Sequence, residues 1–86
     1  MFSEKVTVSN PTGLHARPAS QLVELCKEIP DDILMIIGEK KINPKSILGI
    51  LGAGMKCGTE VTIELKGDTA EENGHKIVDF INNLVD

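Results

Sequence analysis

Two stretches of helical apolar spacing frame this chain, and the apolar segments between them are short. From Ala16 to about Lys27, Ala19, Leu22, Val23 and Cys26 recur at i, i+3, i+4 and i+7, the stripe of an amphipathic helix. Near the other end, Ala70, Ile77, Val78, Ile81, Leu84 and Val85 mark a second stripe. Neither stripe is stable unless something apolar covers it. Lys5–Ser9 and Glu60–Lys66 alternate with period two and read as half-buried strands. Ile33–Ile37 is wholly apolar and suits a central strand, and Lys40–Asn43 returns after the turn Gly38-Glu39, glycine first as a type II′ hairpin prefers. Ser46 is a good N-cap for a short helix carrying Ile47, Leu48, Ile50 and Leu51, ended by Gly52 and Gly54. Thr69-Ala70-Glu71-Glu72 reads as a capping box.

The order is βαββαβα. One four-stranded antiparallel sheet with three helices on one face, an α+β open-faced β-sandwich, buries every stripe at once. At 86 residues the chain is expected to be one domain, 1–86. Only Phe2 and Phe80 are aromatic, so the core must be built from Ile, Leu, Val and Ala. No apolar run approaches the roughly 20 residues that cross a bilayer, and the start, Met-Phe-Ser-Glu-Lys, lacks a basic-then-apolar leader pattern. A soluble, cytoplasmic protein without membrane insertion is the expectation.

The formal charge is −4 and unevenly spread. Residues 1–66 hold eight Lys/Arg against eight Asp/Glu, whereas residues 67–86 hold Lys76 against Asp68, Glu71, Glu72, Asp79 and Asp86. Lys40, Lys41 and Lys45 make a local basic cluster, but a nucleic-acid surface needs a broader basic face and stacking aromatics. Cys26 and Cys57 do not form a disulfide framework: Cys26 falls on the apolar stripe of the first helix, and Cys57 in a loop. With His15 and His75 they fit no zinc spacing, so no metal and no cofactor is expected. His75 reads as a solvated helix residue.

The chemistry concentrates in Thr12-Gly13-Leu14-His15-Ala16-Arg17-Pro18-Ala19. Gly13 loosens the backbone, and Pro18 lies where the first turn of a helix can spare an N–H. His15 thus stands at a helix mouth, where unpaired amides and the positive dipole end favour an anion. A neutral imidazole has one nitrogen lone pair able to attack phosphorus. The amides can then hold the phosphoryl oxygens, and Arg17 can add charge-assisted bonds. Phosphoryl transfer asks for little beyond in-line positioning and charge stabilisation. Neither a P-loop nor a carboxylate cluster for a metal is present in the sequence.

Gly13-Leu14-His15-Ala16-Arg17-Pro18-Ala19 resembles the active-site signature of the HPr family, the histidine-containing phosphocarriers of the bacterial sugar phosphotransferase system. Lys45-Ser46-Ile47-Leu48-Gly49-Ile50-Leu51 resembles the family's regulatory serine segment, and the resemblance covers nearly the whole chain. It implies a stoichiometric carrier rather than an enzyme. His15 would take a phosphoryl group on Nδ1 from phosphorylated enzyme I, ultimately from phosphoenolpyruvate, and pass it to IIA domains of sugar permeases. Arg17, the backbone amides of Ala16 and Arg17, and more weakly Thr12 would bind the phosphate. Ser46 would be phosphorylated by an ATP-dependent HPr kinase/phosphorylase, making the protein a corepressor for catabolite control protein A.

Partners would dock on an apolar patch of Ile47, Leu48 and Leu51, with Ile50 buried; a two-turn helix cannot turn all four inward. A monomer is expected, with no nucleic-acid partner. Pro44 stands where a Gram-positive pattern usually has leucine, Leu48 and Leu51 where methionine is frequent, and Gly52 where serine is common. Two alternatives stand beside it: a carrier of the nitrogen-related phosphotransferase branch, which shares the histidine motif, and a purely regulatory HPr-like module. Regulatory relatives lack the active histidine, which is present here.

Overall fold

The computed structural model describes residues 1–84; Val85, placed on the last helical stripe by the sequence, lies outside them. The elements are β1 (Phe2–Thr7), α1 (Ala16–Lys27), β2 (Asp32–Ile37), β3 (Lys40–Ile42), α2 (Ile47–Ala53), β4 (Glu60–Lys66) and α3 (Ala70–Asn82). The strands form one sheet in the order β1-β4-β2-β3, every neighbour antiparallel. The expected α+β open-faced sandwich is the observed fold.

Register decides which face is buried. Leu65 stands opposite Phe2 on one side and Ile33 on the other, and Ile63 opposite Met35. These side chains point into the core with Leu22, Ile50, Ile77 and Ile81, all without solvent exposure except Phe2 and Ile33, which are nearly so. Their alternates, Asp32, Leu34, Thr62, Glu64 and Lys66, lie on the uncovered face and are half-buried or exposed. α3 lies across β1 and β4, α2 rests on β3, and α1 packs against both helices. At about 0.8 kcal/mol per buried CH₂, the aliphatic side chains of this layer dominate stability.

Two boundaries and two side-chain roles differ from the sequence reading. β1 begins at Phe2 and ends at Thr7, not at Lys5 and Ser9. Glu4 interrupts the apolar alternation there, yet an edge strand lets a carboxylate reach water, and Phe2 still pairs with Leu65 and lays its ring over Gly74 of α3. α2 runs through Gly52 and ends at Gly54, whose left-handed backbone (φ 63°, ψ 46°) is the C-cap. The capping box at Thr69 does not form: the Thr69 hydroxyl donates instead to Asp31 Oδ2 at 2.7 Å, and no side-chain cap bond is made. Lys45 is no free member of a basic cluster, because its Nζ donates to the carbonyls of Ile29 (2.9 Å) and Asp31 (3.3 Å). The Gly38-Glu39 turn has positive φ at glycine alone (59°), the sign pattern of type II′.

Candidate functional site

A tight turn delivers the chain to α1. The Gly13 amide donates to the Asn10 carbonyl at 3.0 Å, and Asn10 Nδ2 returns a bond to the Gly13 carbonyl at 2.8 Å. Asn10 is buried, so this exchange is sheltered from water. Gly13 holds φ 67°, and a Cβ there would run into the backbone of Met55 and Lys56. The Leu14 amide donates to the Met55 carbonyl at 2.8 Å. Two more bonds, Val8 N to Thr59 O (2.9 Å) and Gly58 N to Val8 O (2.7 Å), lace residues 55–59 to the same connection. Nothing local in the residues signals this support, since it joins segments more than forty residues apart.

His15 is the N-cap residue of α1, extended in backbone (φ −82°, ψ −169°). Its side chain makes no capping bond and is exposed. The imidazole is therefore open to solvent. Behind it, Pro18 has no N–H and the Ala19 amide is taken by the His15 carbonyl at 2.9 Å. The amides of Ala16 and Arg17 are left with no preceding turn to pair with. No acidic residue lies in this first turn, so nothing of the helix competes for the positive dipole end.

Thr12, exposed, lies in the same turn, and Arg17 is the second residue of α1, also exposed. Arg17 borders a groove with Gln21 of α1, Asp79 and Phe80 of α3, and Asn83 just past its end. His15 does not line that groove, although it stands only two residues before Arg17.

Ser46 caps α2: its Oγ accepts from the Gly49 amide at 3.3 Å, and its own amide donates to the Asn43 carbonyl at 3.0 Å. It is exposed. Leu48 and Leu51 are exposed by 79% and 43%, while Ile50 is fully buried. Ile47 is half-buried and packs on the core, so it contributes less to the exposed patch than its neighbours. The seven residues of α2 span about 10 Å, which separates Ser46 at one end from the Met55–Lys56 segment behind Gly13 at the other.

Burial pushes the Cys26 thiol up to about 12, with Lys45 opposing, so it is an inert core residue. Cys57 is exposed, 3.6 Å from the Ser9 carbonyl. His75 is exposed, but its ring meets Phe2 edge-on at 5.2 Å. The sequence reading passed over Asp31, a nearly buried carboxylate bonded to Thr69 and Asn73. The Thr69 hydroxyl foremost, then Asn73, the Thr69 amide and Lys45, hold it below the usual carboxylate range against the opposing effect of burial.

The sequence profile described as "PTS HPr component phosphorylation site" matches residues 2–83. The chain belongs to the HPr phosphocarrier family. Among HPr relatives, it is 39% identical over 72 residues to the phosphocarrier protein HPr of Lysinibacillus sphaericus, covering 84% of this chain and 82% of that one. It is 34% identical over 85 residues to the HPr-like protein Crh of Bacillus subtilis, covering 99% of this chain and all of Crh. The crystal structure of a His-tagged HPr from Thermoanaerobacter tengcongensis superposes with a TM-score of 0.90 at 36% identity, over 95% of this chain and 92% of that one.

Proposed function

We propose that this protein is a phosphocarrier that takes a phosphoryl group on Nδ1 of His15 from phospho-enzyme I and gives it to IIA domains of sugar permeases, in the cytoplasm. The observation that carries the reading is the exposed, uncapped imidazole at the start of α1, beside two backbone amides without helical partners. In-line transfer makes the new phosphorus–nitrogen bond as the donor's bond breaks, and the amides of Ala16 and Arg17 meet the phosphoryl oxygens. Arg17, exposed in the first turn of α1, would join them, and Thr12 is close along the chain. The exposed Leu48 and Leu51, with a smaller share from Ile47, suit transient docking by partners that must leave again.

Regulation at Ser46 by an ATP-dependent kinase, with a link to catabolite control protein A, belongs to the same reading. A phosphate there would sit at a helix N-terminus and leave the fold intact. The similarity to Crh favours a second reading, a regulatory module; the presence of His15 weighs for the carrier. Incubation with phosphoenolpyruvate and a general enzyme I, followed by mapping of the modified residue, tests the proposal. Acid-labile, base-stable phosphate on His15, absent from His15→Ala, is the expected result. Phosphate retained in that variant would refute it.

A further inference from the structure

We infer that Lys56 is a second cation serving the phosphoryl group on His15, supplied from the loop between α2 and β4 rather than from α1. The inference rests on the carrier reading and adds a residue to its site. Gly13 lacks a Cβ because the Lys56 backbone occupies that space: a Cβ would lie 2.6 Å from the Lys56 Cα. The Lys56 carbonyl accepts from the Thr59 amide at 3.0 Å, and the neighbouring Met55 carbonyl accepts from Leu14, so the position is fixed by backbone bonds on both sides. His15 lies two residues beyond Gly13, at most about 7 Å along extended chain, a distance that a flexible four-carbon stem can cover. Lys56 is exposed and forms no ion pair among the described residues.

Charge distribution points the same way. The chain has 13 acidic residues, yet residues 8–19 and 47–59, which build the mouth, contain none, and their cations are Arg17 and Lys56. Acidic residues stand outside those segments: Asp79 lines the groove with Arg17 from α3, and Glu60 begins β4. Arg17 borders the α3 side of the mouth, whereas Lys56 stands on the α2–β4 side, so the two would approach a phosphoryl group from different directions. An added unit charge at this distance in a largely aqueous setting changes a rate by about threefold, more for a doubly charged group.

Phosphoramidate tests this without enzyme I, so partner docking is removed from the measurement. The Nδ1 lone pair forms the new phosphorus–nitrogen bond as the donor's phosphorus–nitrogen bond breaks, and ammonia leaves with that bond's electron pair. Phosphohistidine formation is followed by ³¹P NMR in the wild type, Lys56→Gln and Lys56→Arg, with His15→Ala as the blank and thermal melts confirming that each folds. At about 0.01 M salt, Lys56→Gln should be slowed at least about threefold and Lys56→Arg should keep the wild-type rate. At about 1 M salt, where the screening length is about 3 Å, the gap should close. Equal rates for wild type and Lys56→Gln at low salt, or an arginine variant as slow as the glutamine one, would overturn the role of Lys56 and leave the carrier reading standing. A wild type that takes no phosphoryl group would overturn both.

Discussion

Thr69 and Asp31, 38 residues apart in sequence, share a 2.7 Å hydrogen bond that ties the end of the α1–β2 connection to the start of α3. Asn73, one turn into α3, donates to both members, at 3.3 Å to Asp31 Oδ2 and 2.9 Å to Thr69 Oγ1. Lys45 adds a clamp from the α2 side through the Asp31 carbonyl. Asp31 thus joins the α1–β2 connection to α3 through its carboxylate and to the α2 side through its carbonyl, and the carboxylate's charge is what Thr69 and Asn73 stabilise.

The sign of the pH effect follows from that arrangement. Asp31 is held below its ordinary value in the folded protein, whereas an unfolded aspartate titrates near about 3.9. Its contribution is fully present above that value and is lost as pH falls through the lower, folded value. Melting temperatures of the wild type and Asp31→Asn should therefore differ by a constant amount above about pH 5 and converge below about pH 4. Thr69→Val should move the Asp31 carboxyl midpoint, read by ¹³C NMR, upward. A difference between the two melting curves that stays constant down to acid pH would show that the Asp31 charge does not matter.

Gly13 is the joint on which the helix mouth at His15 depends. Its positive φ and its contact with the Met55–Lys56 backbone make Gly13→Ala doubly unfavourable, because backbone cannot swing aside as a side chain can. The expected loss is about 2 kcal/mol, a fall in Tm on the order of 10 °C for a domain of this size. Labelling of His15 should slow as well, since the turn that presents it must shift. Urea unfolding and phosphoenolpyruvate-dependent labelling check the two effects; a variant that unfolds and labels like the wild type would show that the turn is not the determinant.

What could be read from the residues was local. The spacing of Ala19, Leu22, Val23 and Cys26 placed α1, the alternation of Val61, Ile63 and Leu65 placed β4, and the run ending at Pro18 placed a helix mouth behind His15. What could not be read was contact between distant segments. Thr69 followed by Glu72 carries a capping signature, but Asp31 offers its hydroxyl a charged acceptor and wins. Lys45 looked like surface charge because nothing local shows that the Ile29 carbonyl will stand 2.9 Å away. Glu4 hid the first half of β1, since the pattern of an edge strand tolerates a charge that a central strand would not. The imidazole was legible for the opposite reason: its place depends on the first turn of one helix. The groove that Arg17 borders was not, because α3 supplies its other wall.

Ser46 separates structural from electrostatic roles at the far end of α2. Its Oγ bond to Gly49 is long at 3.3 Å and exposed, so Ser46→Ala should cost about 0.5–1 kcal/mol, the low end for an N-cap. Aspartate caps as well as serine does and adds a negative charge at the favourable end of the helix dipole. Ser46→Asp should therefore melt close to the wild type. It should nevertheless accept phosphate from enzyme I more slowly, by about tenfold at low salt, if the partner's docking surface is acidic. The deficit should shrink as salt rises, whereas chemical phosphorylation by phosphoramidate, which needs no docking, should change little, because Ser46 and the His15 mouth lie toward opposite ends of α2. A stable Ser46→Asp variant that takes phosphate from enzyme I at the wild-type rate would remove charge at this helix start as the means of control.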